Sequence, residues 1–342
     1  MRVLVTGTDG YIGSHLPVSL RHRGHAVAGL DTGFYADGCL YDLPEPPPAT
    51  IRRDTREITL DDLRGFEAVV HLAELSNDPL GQLNPALTFR INHEASVRLA
   101  RLCREAGVAR FVYSSSCSVY GAGADAVRTE DSQPEPQTAY AECKVLVERD
   151  VGALAATGFT PTFLRNATAF GPSPRMRFDI VLNNLAGMAW TTHEIAMTSD
   201  GTPWRPLVHV LDICEAMGCV LEAPPEAVHG EVFNVGSDEQ NYRVREIAEI
   251  IADVFPDCRL SFGTMGSDRR SYQVAFGKIR EHLPTFRCRR DARQGALELR
   301  ELFDRIGLTP AMFEARHFTR LKQLEYLLAQ SRLDPDLRWI RP

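Results

Sequence analysis

Residues 1–16 read MRVLVTGTDGYIGSHL, and this stretch decides the fold. An apolar strand that ends at Thr6 and a helix that begins near Tyr11 would place backbone N–H groups, and the positive end of the helix dipole, around the turn between them. Glycine lets that turn be tight and lets a phosphate approach the backbone closely. The pattern therefore predicts a pyrophosphate site, although its GxxGxxG spacing differs from the GxGxxG of dinucleotide-binding folds and also suits a merely tight turn. The three glycines are Gly7, Gly10 and Gly13.

Strands and helices alternate after this turn. Helical stretches at 84–106 and 138–156 separate apolar runs that predict strands at 25–31, 68–73, 110–116 and 160–166. Strands separated by helices of this length pair in parallel through right-handed crossovers. The sequence therefore predicts an α/β fold, a doubly wound parallel sheet of the Rossmann type with a smaller C-terminal substrate-binding lobe.

The rhythm of the sequence changes after about residue 170. Two further strand-like runs, at 207–210 and 231–236, lie on either side of a predicted helix at 212–222. Segments added after a nucleotide-binding half are expected to bind the substrate, and some can return to the first domain. We expect a dinucleotide-binding domain over 1–170, mainly a substrate lobe over 171–290, and a C-terminal helical extension without an assigned role over 291–342.

Composition excludes several classes of function. The formal net charge of −7 offers nucleic acid no attractive surface overall. No stretch approaches the roughly 18 apolar residues of a membrane-spanning helix. The eight cysteines contain no CxxC pair, so neither a metal site nor a disulfide framework is expected. Because the first strand follows Met1 directly, we expect no secretion leader and a soluble, cytoplasmic protein.

The second predicted strand ends in an acid, Asp31. A carboxylate at this strand end can accept both hydroxyls of an adenosine ribose, and it repels the 2′-phosphate of NADP. No Arg or Lys occurs in the following DTGFYADG, so NAD is the favoured cofactor. The alternative for Asp31 is a solvated strand end. Pro17 interrupts the first predicted helix, and we expect a kink there.

A second pattern combines Ser116 with Tyr140 and Lys144. Tyr140 and Lys144 lie one helical turn apart, on the same face. A neighbouring ammonium and the positive charge of the nicotinamide both favour the phenolate, so they should lower the pKa of Tyr140 from about 10 towards the working pH, as a general acid or base requires. An isolated YxxxK is usually a surface pair. Here it follows a serine-rich strand end, and a glycine turn and an acid precede both, which favours a catalytic site.

The chain resembles the extended short-chain dehydrogenase/reductase family, specifically its nucleotide-sugar epimerases and dehydratases. The resemblance rests on TGTDGYIG, GLD, HLAELSNDP, SSSCSVYG, YAECK, NNL and DGTPWRPLVHVLD, in that order. It implies NAD as cofactor and Ser116, Tyr140 and Lys144 as catalytic residues. The cofactor contacts that it implies are Gly7, Gly10, Tyr11, Ile12, Gly13, Asp31, Asp54, Thr55, Leu72, Ala73, Asn92, Ser114, Tyr140 and Lys144.

The resemblance also implies a nucleotide-diphosphate sugar as substrate. Arginine suits its phosphates because the guanidinium binds oxygens in pairs. Pro206 stands where the family usually has Asp, which puts the local loop geometry in doubt, and Arg269 competes with Arg270 for one assignment. Without the resemblance, each arginine reads as a solvated surface residue. The expected substrate contacts are Ser76, Asn77, Ser116, Ser118, Asn184, Arg205 and Arg270.

The residues after Ser116 bear on the reaction. Dehydratases of the family carry Asp-Glu there and sugar-uronate decarboxylases carry Glu at the second position, whereas this chain has Cys117 and Ser118. Neither side chain is a carboxylic acid or base. We therefore expect C4 epimerisation through a transient keto sugar. The alternatives are a C2 epimerase, another nucleotide-sugar oxidoreductase, or a non-catalytic NAD-binding sensor or scaffold.

Several side chains keep two interpretations. Glu74 is either an additional base or a salt-bridged loop carboxylate, and Cys117 is either reactive or a packing residue. Arg175 and Arg177 either meet an acidic sugar or lie on a solvated loop. By analogy with the family, helices 84–106 and 138–156 would form a homodimer through a four-helix bundle.

Overall fold

A seven-stranded parallel sheet forms the centre of the protein in the computed structural model, which describes residues 1–76, 78, 81, 84–121, 127–264 and 271–340. Its strands are β1 Arg2–Thr6, β2 Ala26–Asp31, β3 Thr50–Arg52, β4 Ala68–His71, β5 Arg110–Ser116, β6 Thr160–Asn166 and β10 Val232–Val235. Smaller sheets contain β7 Thr168–Phe170, β8 Glu194–Met197, β9 Trp204–His209, β11 Asn241–Arg243 and β12 Arg259–Phe262.

The order of the strands across the main sheet is β10-β6-β5-β4-β1-β2-β3, and all six pairings are parallel. The chain runs outward from β1 in one direction and then from β4 in the other. The carboxyl ends of β1 and β4 therefore border a crevice, which is where open sheets of this kind bind ligands. The predicted α/β fold with a doubly wound sheet is confirmed.

Helices cover both faces of the sheet and build the lobe. Within the described part of the chain, no helix is long and apolar enough to cross a membrane. The α-helices are α1 Leu16–His22, α2 Leu60–Leu63, α3 Pro85–Thr88, α4 Ala95–Glu105, α5 Ala139–Gly152, α6 Val181–Thr192, α7 Val210–Glu222, α8 Pro225–Val228, α9 Val244–Val254, α10 Gly277–His282, α11 Ala292–Ile306, α12 Pro310–Phe313 and α13 Arg320–Ala329.

Strand β1 shows why the opening apolar run is continuous. Val3 and Val5 pack on one face of the sheet with Leu20 of α1. Leu4 packs on the other face with Leu99 of α4. A parallel strand covered on both faces buries consecutive residues, so it lacks the alternation of a half-exposed strand. This burial holds the end of β1, and hence the glycine turn, in a fixed position.

Two details of the first helices differ from the sequence predictions. The regular part of α1 begins at Leu16, after hydrogen-bonded turns that include Ser14 N to Gly10 O. Pro17 therefore lies in the first turn of the helix, where its missing N–H is not needed, and the predicted kink is wrong. The stretch predicted as one helix at 84–106 is interrupted by a π-helical segment at Phe89–Glu94.

The lobe has its own core beside the main sheet. Leu182 of α6, Ile247 of α9 and Phe303 of α11 are buried there together. Although β10 follows segments of the lobe, it pairs with β6 at the edge of the main sheet. Helix α11, from the C-terminal extension, packs in the lobe core. The residues after it include α13, which packs against loops of the first half of the chain.

Candidate active site

A cavity of about 660 Å³ lies at the carboxyl ends of the central strands, between the sheet and the lobe. It brings together most residues that the sequence predicts for the site, although they come from widely separated segments. The predicted residues that line it are Gly7, Gly10, Tyr11, Ile12, Gly13, Asp31, Asp54, Thr55, Leu72, Ala73, Ser76, Ser114, Ser116, Ser118, Tyr140, Lys144 and Arg205.

Four predicted contacts are placed differently or cannot be placed. Asn92 lies behind the cavity wall, where its amide bonds the backbone N–H and C=O of Leu75 and so fixes the loop after β4. Asn184 is not among the residues that line the cavity, and its amide donates to Phe178 O, so its expected contact with the substrate diphosphate stays a prediction. Asn77 and Arg270 lie outside the described residues.

The glycine turn is shaped to receive a phosphate group. Gly7 has a φ of +81° and its N–H donates to Leu30 O at 2.7 Å. A Cβ on Gly13 would lie 1.9 Å from Gly7 O, and one on Gly10 would lie 2.9 Å from it. The turn therefore excludes side chains, and its backbone N–H groups line the cavity at the start of α1. These features fit the diphosphate of a dinucleotide.

Asp31 is positioned for an adenosine ribose. The two oxygens of its carboxylate accept the backbone N–H groups of Asp9 at 2.9 Å and Gly33 at 2.7 Å. Burial, with a smaller contribution from the negative charge of Asp9, raises the pKa of Asp31 to about 6. The carboxylate is thus fixed by the backbone and keeps the lone pairs needed to accept ribose hydroxyls.

The predicted triad is assembled. Ser116 ends β5, and the interaction of its hydroxyl with the Tyr140 hydroxyl acts to lower the pKa of Tyr140. Tyr140 and Lys144 lie on α5, and the Lys144 ammonium is 5.3 Å from the centroid of the Tyr140 ring. Lys144 Nζ also donates to Ser114 O at 2.5 Å. The three side chains therefore surround one point of the cavity.

The charge of Lys144 does not by itself lower the pKa of Tyr140. Burial raises the pKa of Tyr140, and the favourable charge of Lys144 is smaller than this effect. The carboxylate of Glu74 adds a further contribution in the same direction as burial. A lower pKa of Tyr140 therefore needs a second positive charge in addition to that of Lys144.

Glu74 decides how much of the Lys144 charge reaches the phenol. Its Oε2 lies 2.5 Å from Lys144 Nζ, and both side chains are almost fully buried. Its Oε1 accepts the Tyr113 hydroxyl at 2.6 Å. Although burial lowers the pKa of Lys144, the Glu74 carboxylate and the Tyr140 phenol together outweigh it, so that pKa is raised. Glu74 is thus a salt-bridged carboxylate, buried under the site.

Cys117 is a packing residue in this structure. Its side chain is buried, and its thiol donates to Arg165 O at 3.2 Å. Burial raises the pKa of the thiol well above its usual value, so little thiolate forms near neutral pH. Ser118, by contrast, lines the cavity, and its hydroxyl has no hydrogen-bond partner among the described residues.

Some cavity residues were missed or left undecided by the sequence reasoning. Asn166, at the end of β6, donates to Ser114 Oγ at 3.0 Å and lines the cavity. The strand-end rule that identified Ser116 would also have identified it. Arg177, which was expected either to meet an acidic sugar or to lie on a solvated loop, lines the cavity. Thr319, Arg320 and Leu321 also line it, and no local pattern marks them.

Comparison with known proteins is consistent with this geometry. Residues 3–236 match the model of the NAD dependent epimerase/dehydratase family. The chain belongs to this family. Its curated relatives include a UDP-glucose 4-epimerase of Corynebacterium glutamicum, 29% identical over 269 residues, which cover 74% of this chain and 80% of that protein. They also include a UDP-N-acetyl-alpha-D-glucosaminuronate decarboxylase of Bacillus cytotoxicus, 25% identical over 262 residues, which cover 73% of this chain and 79% of that protein.

Solved structures of the epimerase/dehydratase family show the same architecture. MoeE5 in complex with UDP-glucose and NAD has 30% sequence identity and a TM-score of 0.75, with 89% of this chain and 99% of that chain covered. The fold is also that of the Thermotoga maritima UDP-glucose 4-epimerase, at 22% identity and a TM-score of 0.78, with 90% and 100% covered. NAD is therefore the cofactor of this family member, in agreement with the prediction from Asp31.

The raised pKa of Asp31 predicts a pH-dependent affinity for NAD. Ribose hydroxyls bind best to the carboxylate, and free Asp31 is protonated below about pH 6. The affinity for NAD should therefore be highest above that pH and should fall as the pH drops through it. The expected decrease is about tenfold between roughly pH 7 and pH 5. Calorimetric titration with NAD across this range measures the effect. An Asp31→Asn variant should bind weakly and without this dependence, and a flat wild-type profile would contradict the assignment.

Proposed function

We propose that this protein is an NAD-dependent nucleotide-sugar epimerase that inverts C4 of the sugar. The assembled Ser116, Tyr140 and Lys144 support an enzyme that oxidises and reduces an alcohol. The UDP-glucose 4-epimerases among the curated relatives support the nucleotide-sugar substrate. The family also contains dehydratases and decarboxylases, so the choice among reactions depends on residues around the sugar position.

Tyr140 would take the proton of the C4 hydroxyl and later return one. Ser116 would hold the same oxygen, because its hydroxyl already interacts with that of Tyr140 and both residues line the cavity. Bound NAD supplies a reversible acceptor for the C4 hydride. Its positively charged ring would add to the charge of Lys144 and help to overcome the effect of burial on the pKa of Tyr140. The keto sugar would rotate between the two steps, so no external reductant is consumed.

The observation that carries the proposal is the chemistry of the loop after Ser116. Cys117 is turned into the core and is not a titrating group at neutral pH. Ser118 lines the cavity with a buried hydroxyl that has no partner among the described residues, at the position where the dehydratases and decarboxylases that the chain resembles have a carboxylate. A hydroxyl with a free hydrogen-bonding capacity can hold a sugar oxygen, but it cannot serve as the acid or base of an elimination.

Glu74 does not replace the missing carboxylate. One of its oxygens is paired with Lys144, and the other accepts from Tyr113. Its carboxylate is therefore committed to groups beneath the phenol. Arg205, which lines the lobe side of the cavity, is the proposed contact for the substrate phosphates. A homodimer formed through the helices at 84–106 and 138–156, and a cytoplasmic location, stay predictions.

A panel of UDP- and dTDP-sugars tests the proposal. The protein is incubated with each sugar nucleotide and NAD in deuterated water, and the products are identified by mass spectrometry and NMR. We expect a C4 epimer of unchanged mass that carries no deuterium at C4, because hydride returns from the cofactor. Loss of water or carbon dioxide, stoichiometric reduction of NAD, or inversion only at C2 would each contradict C4 epimerisation.

A further inference from the structure

The C-terminal segment forms one wall of the cavity. Thr319, Arg320 and Leu321, at the start of α13, line the cavity together with the glycine turn. The segment lies beyond residue 236, where the family match ends, and it had no assigned role. A ligand in the cavity would therefore meet side chains that the family model does not include.

The segment is attached to the cofactor half by both apolar and polar contacts. Leu324 and Leu327 of α13 pack against Phe34 and Leu75, which follow β2 and β4. Gln323 Nε2 donates to Phe34 O at 3.0 Å. Helix α13 is thus held against the two loops at the carboxyl end of the sheet, and Arg320 occupies a defined place beside them.

Arg320 is a buried cation whose hydrogen bonds are incomplete. Only 2% of Arg320 is exposed to solvent. Its Nη2 donates to Arg175 O at 3.1 Å, and its guanidinium lies 4.2 Å from the centroid of the Tyr35 ring. Its Nη1 has no hydrogen-bond partner among the described residues. An uncompensated buried charge of this kind destabilises a fold, unless a ligand supplies the counter-charge.

Asp179, an acid that acts on Arg320, is shared with Arg177. Arg177 forms a two-bond ion pair with Asp179, at 2.9 and 3.0 Å. Arg175 lies 3.8 Å from Asp9, and Asp9 also pairs with Arg52. Burial lowers the pKa of Arg320 to about 10, which leaves the guanidinium protonated at neutral pH. The cluster therefore retains a surplus of positive charge.

The same cluster is connected to the glycine turn by hydrogen bonds. The loop that carries Arg175 and Arg177 is tied to this turn, because Tyr11 OH donates to Gly171 O at 2.6 Å and Ser173 Oγ donates to Tyr11 O at 2.8 Å. Arg320 in turn bonds the backbone of that loop. Arg177 and Arg320 thus line the same cavity as the glycine turn.

We propose that Arg320, together with Arg177, binds the diphosphate of the dinucleotide from the side opposite the glycine turn, so that the C-terminal extension completes the cofactor site. A diphosphate brings the negative oxygens that match a surplus guanidinium. It also lies between an adenosine ribose at Asp31 and a nicotinamide at Tyr140, and Arg177 and Arg320 line the same cavity as both of these residues. The inference concerns the cofactor and does not depend on which sugar is converted.

An Arg320→Met variant tests this role by calorimetric binding of NAD, ADP-ribose, adenosine and UDP to protein freed of bound nucleotide. We expect NAD and ADP-ribose to bind about 10- to 100-fold more weakly, as for the loss of charged hydrogen bonds, while adenosine and UDP are unaffected. Lys322→Met is the matched control, because it removes an exposed cation from the same helix, and it should change none of the four affinities.

Other outcomes would overturn the proposal. Unchanged NAD affinity, or an equal loss for adenosine, would assign Arg320 to structure alone. A selective loss for UDP would assign the cluster to the substrate diphosphate instead. If Arg320→Met does not fold, as judged by thermal unfolding, Arg177→Met provides the same comparison, with the same diphosphate-selective loss expected.

Discussion

Replacing Tyr140 by phenylalanine should lower turnover by about 10²–10⁴-fold, the usual contribution of a positioned general acid or base. The change removes one hydroxyl from a point where Ser116 and Lys144 converge, and it leaves the ring in place. NAD affinity should therefore change little. Turnover is measured with the sugar nucleotide that the screen identifies, and NAD binding is measured by calorimetry on the same preparation.

Tyr326→Phe is the matched control for this variant. It removes a hydroxyl from an exposed ring on α13, and the contact of that ring with Arg316 is retained. This control should have wild-type turnover. Turnover of Tyr140→Phe within a few-fold of wild type would contradict the catalytic role, and loss of NAD binding would show that the variant perturbs the cavity as a whole.

Replacing Gly13 by alanine should weaken NAD binding at least about 100-fold. The added Cβ would lie 1.9 Å from Gly7 O and 2.8 Å from Gly7 C, so the backbone of the turn must move. Both neighbours are backbone atoms, which cannot rotate away as a side chain can. The N–H groups that face the diphosphate would be displaced together. Calorimetric titration with NAD, with thermal unfolding as a test of the fold, measures the result.

Gly152→Ala provides the matched control. A Cβ at this position would meet nothing closer than 3.8 Å, from the ring of Phe163, and the residue lies at the end of α5. Alanine also favours helix over glycine. This variant should bind NAD normally and be at least as stable as the wild type. If Gly13→Ala also binds NAD normally, the glycine turn is not the diphosphate site.

Much of the fold was predictable because its signals are local. The apolar runs at 110–116 and 160–166 coincide with β5 Arg110–Ser116 and β6 Thr160–Asn166. Strands buried on both faces show as continuous apolar segments, so their limits are visible in the sequence. The pairing of Val232–Val235 with β6 was not visible, because pairing across some 70 residues leaves no mark in either segment.

The residues of the candidate site that lie at strand ends could also be predicted from the sequence, whereas those that depend on packing could not. Ser116 and Asp31 could be placed since the carboxyl ends of parallel strands share one edge of the sheet. Asn184 could not be placed, because the face of α6 that meets the cavity depends on how the lobe packs. The burial of Tyr140 and the nearby Glu74 carboxylate, which oppose the charge of Lys144, could not be predicted, because both are properties of the assembled fold.

The sequence by itself determined the glycine turn, the acid after it, the one-turn spacing of Tyr140 and Lys144, and with them the family and its cofactor. Each depends on residues that are neighbours in the chain or that follow the regular repeat of a strand or helix. Only the tertiary structure decided that Glu74 shares the charge of Lys144 and that Arg320 reaches the cavity. Both contacts join segments far apart in the chain, and they form only when packing brings those segments together.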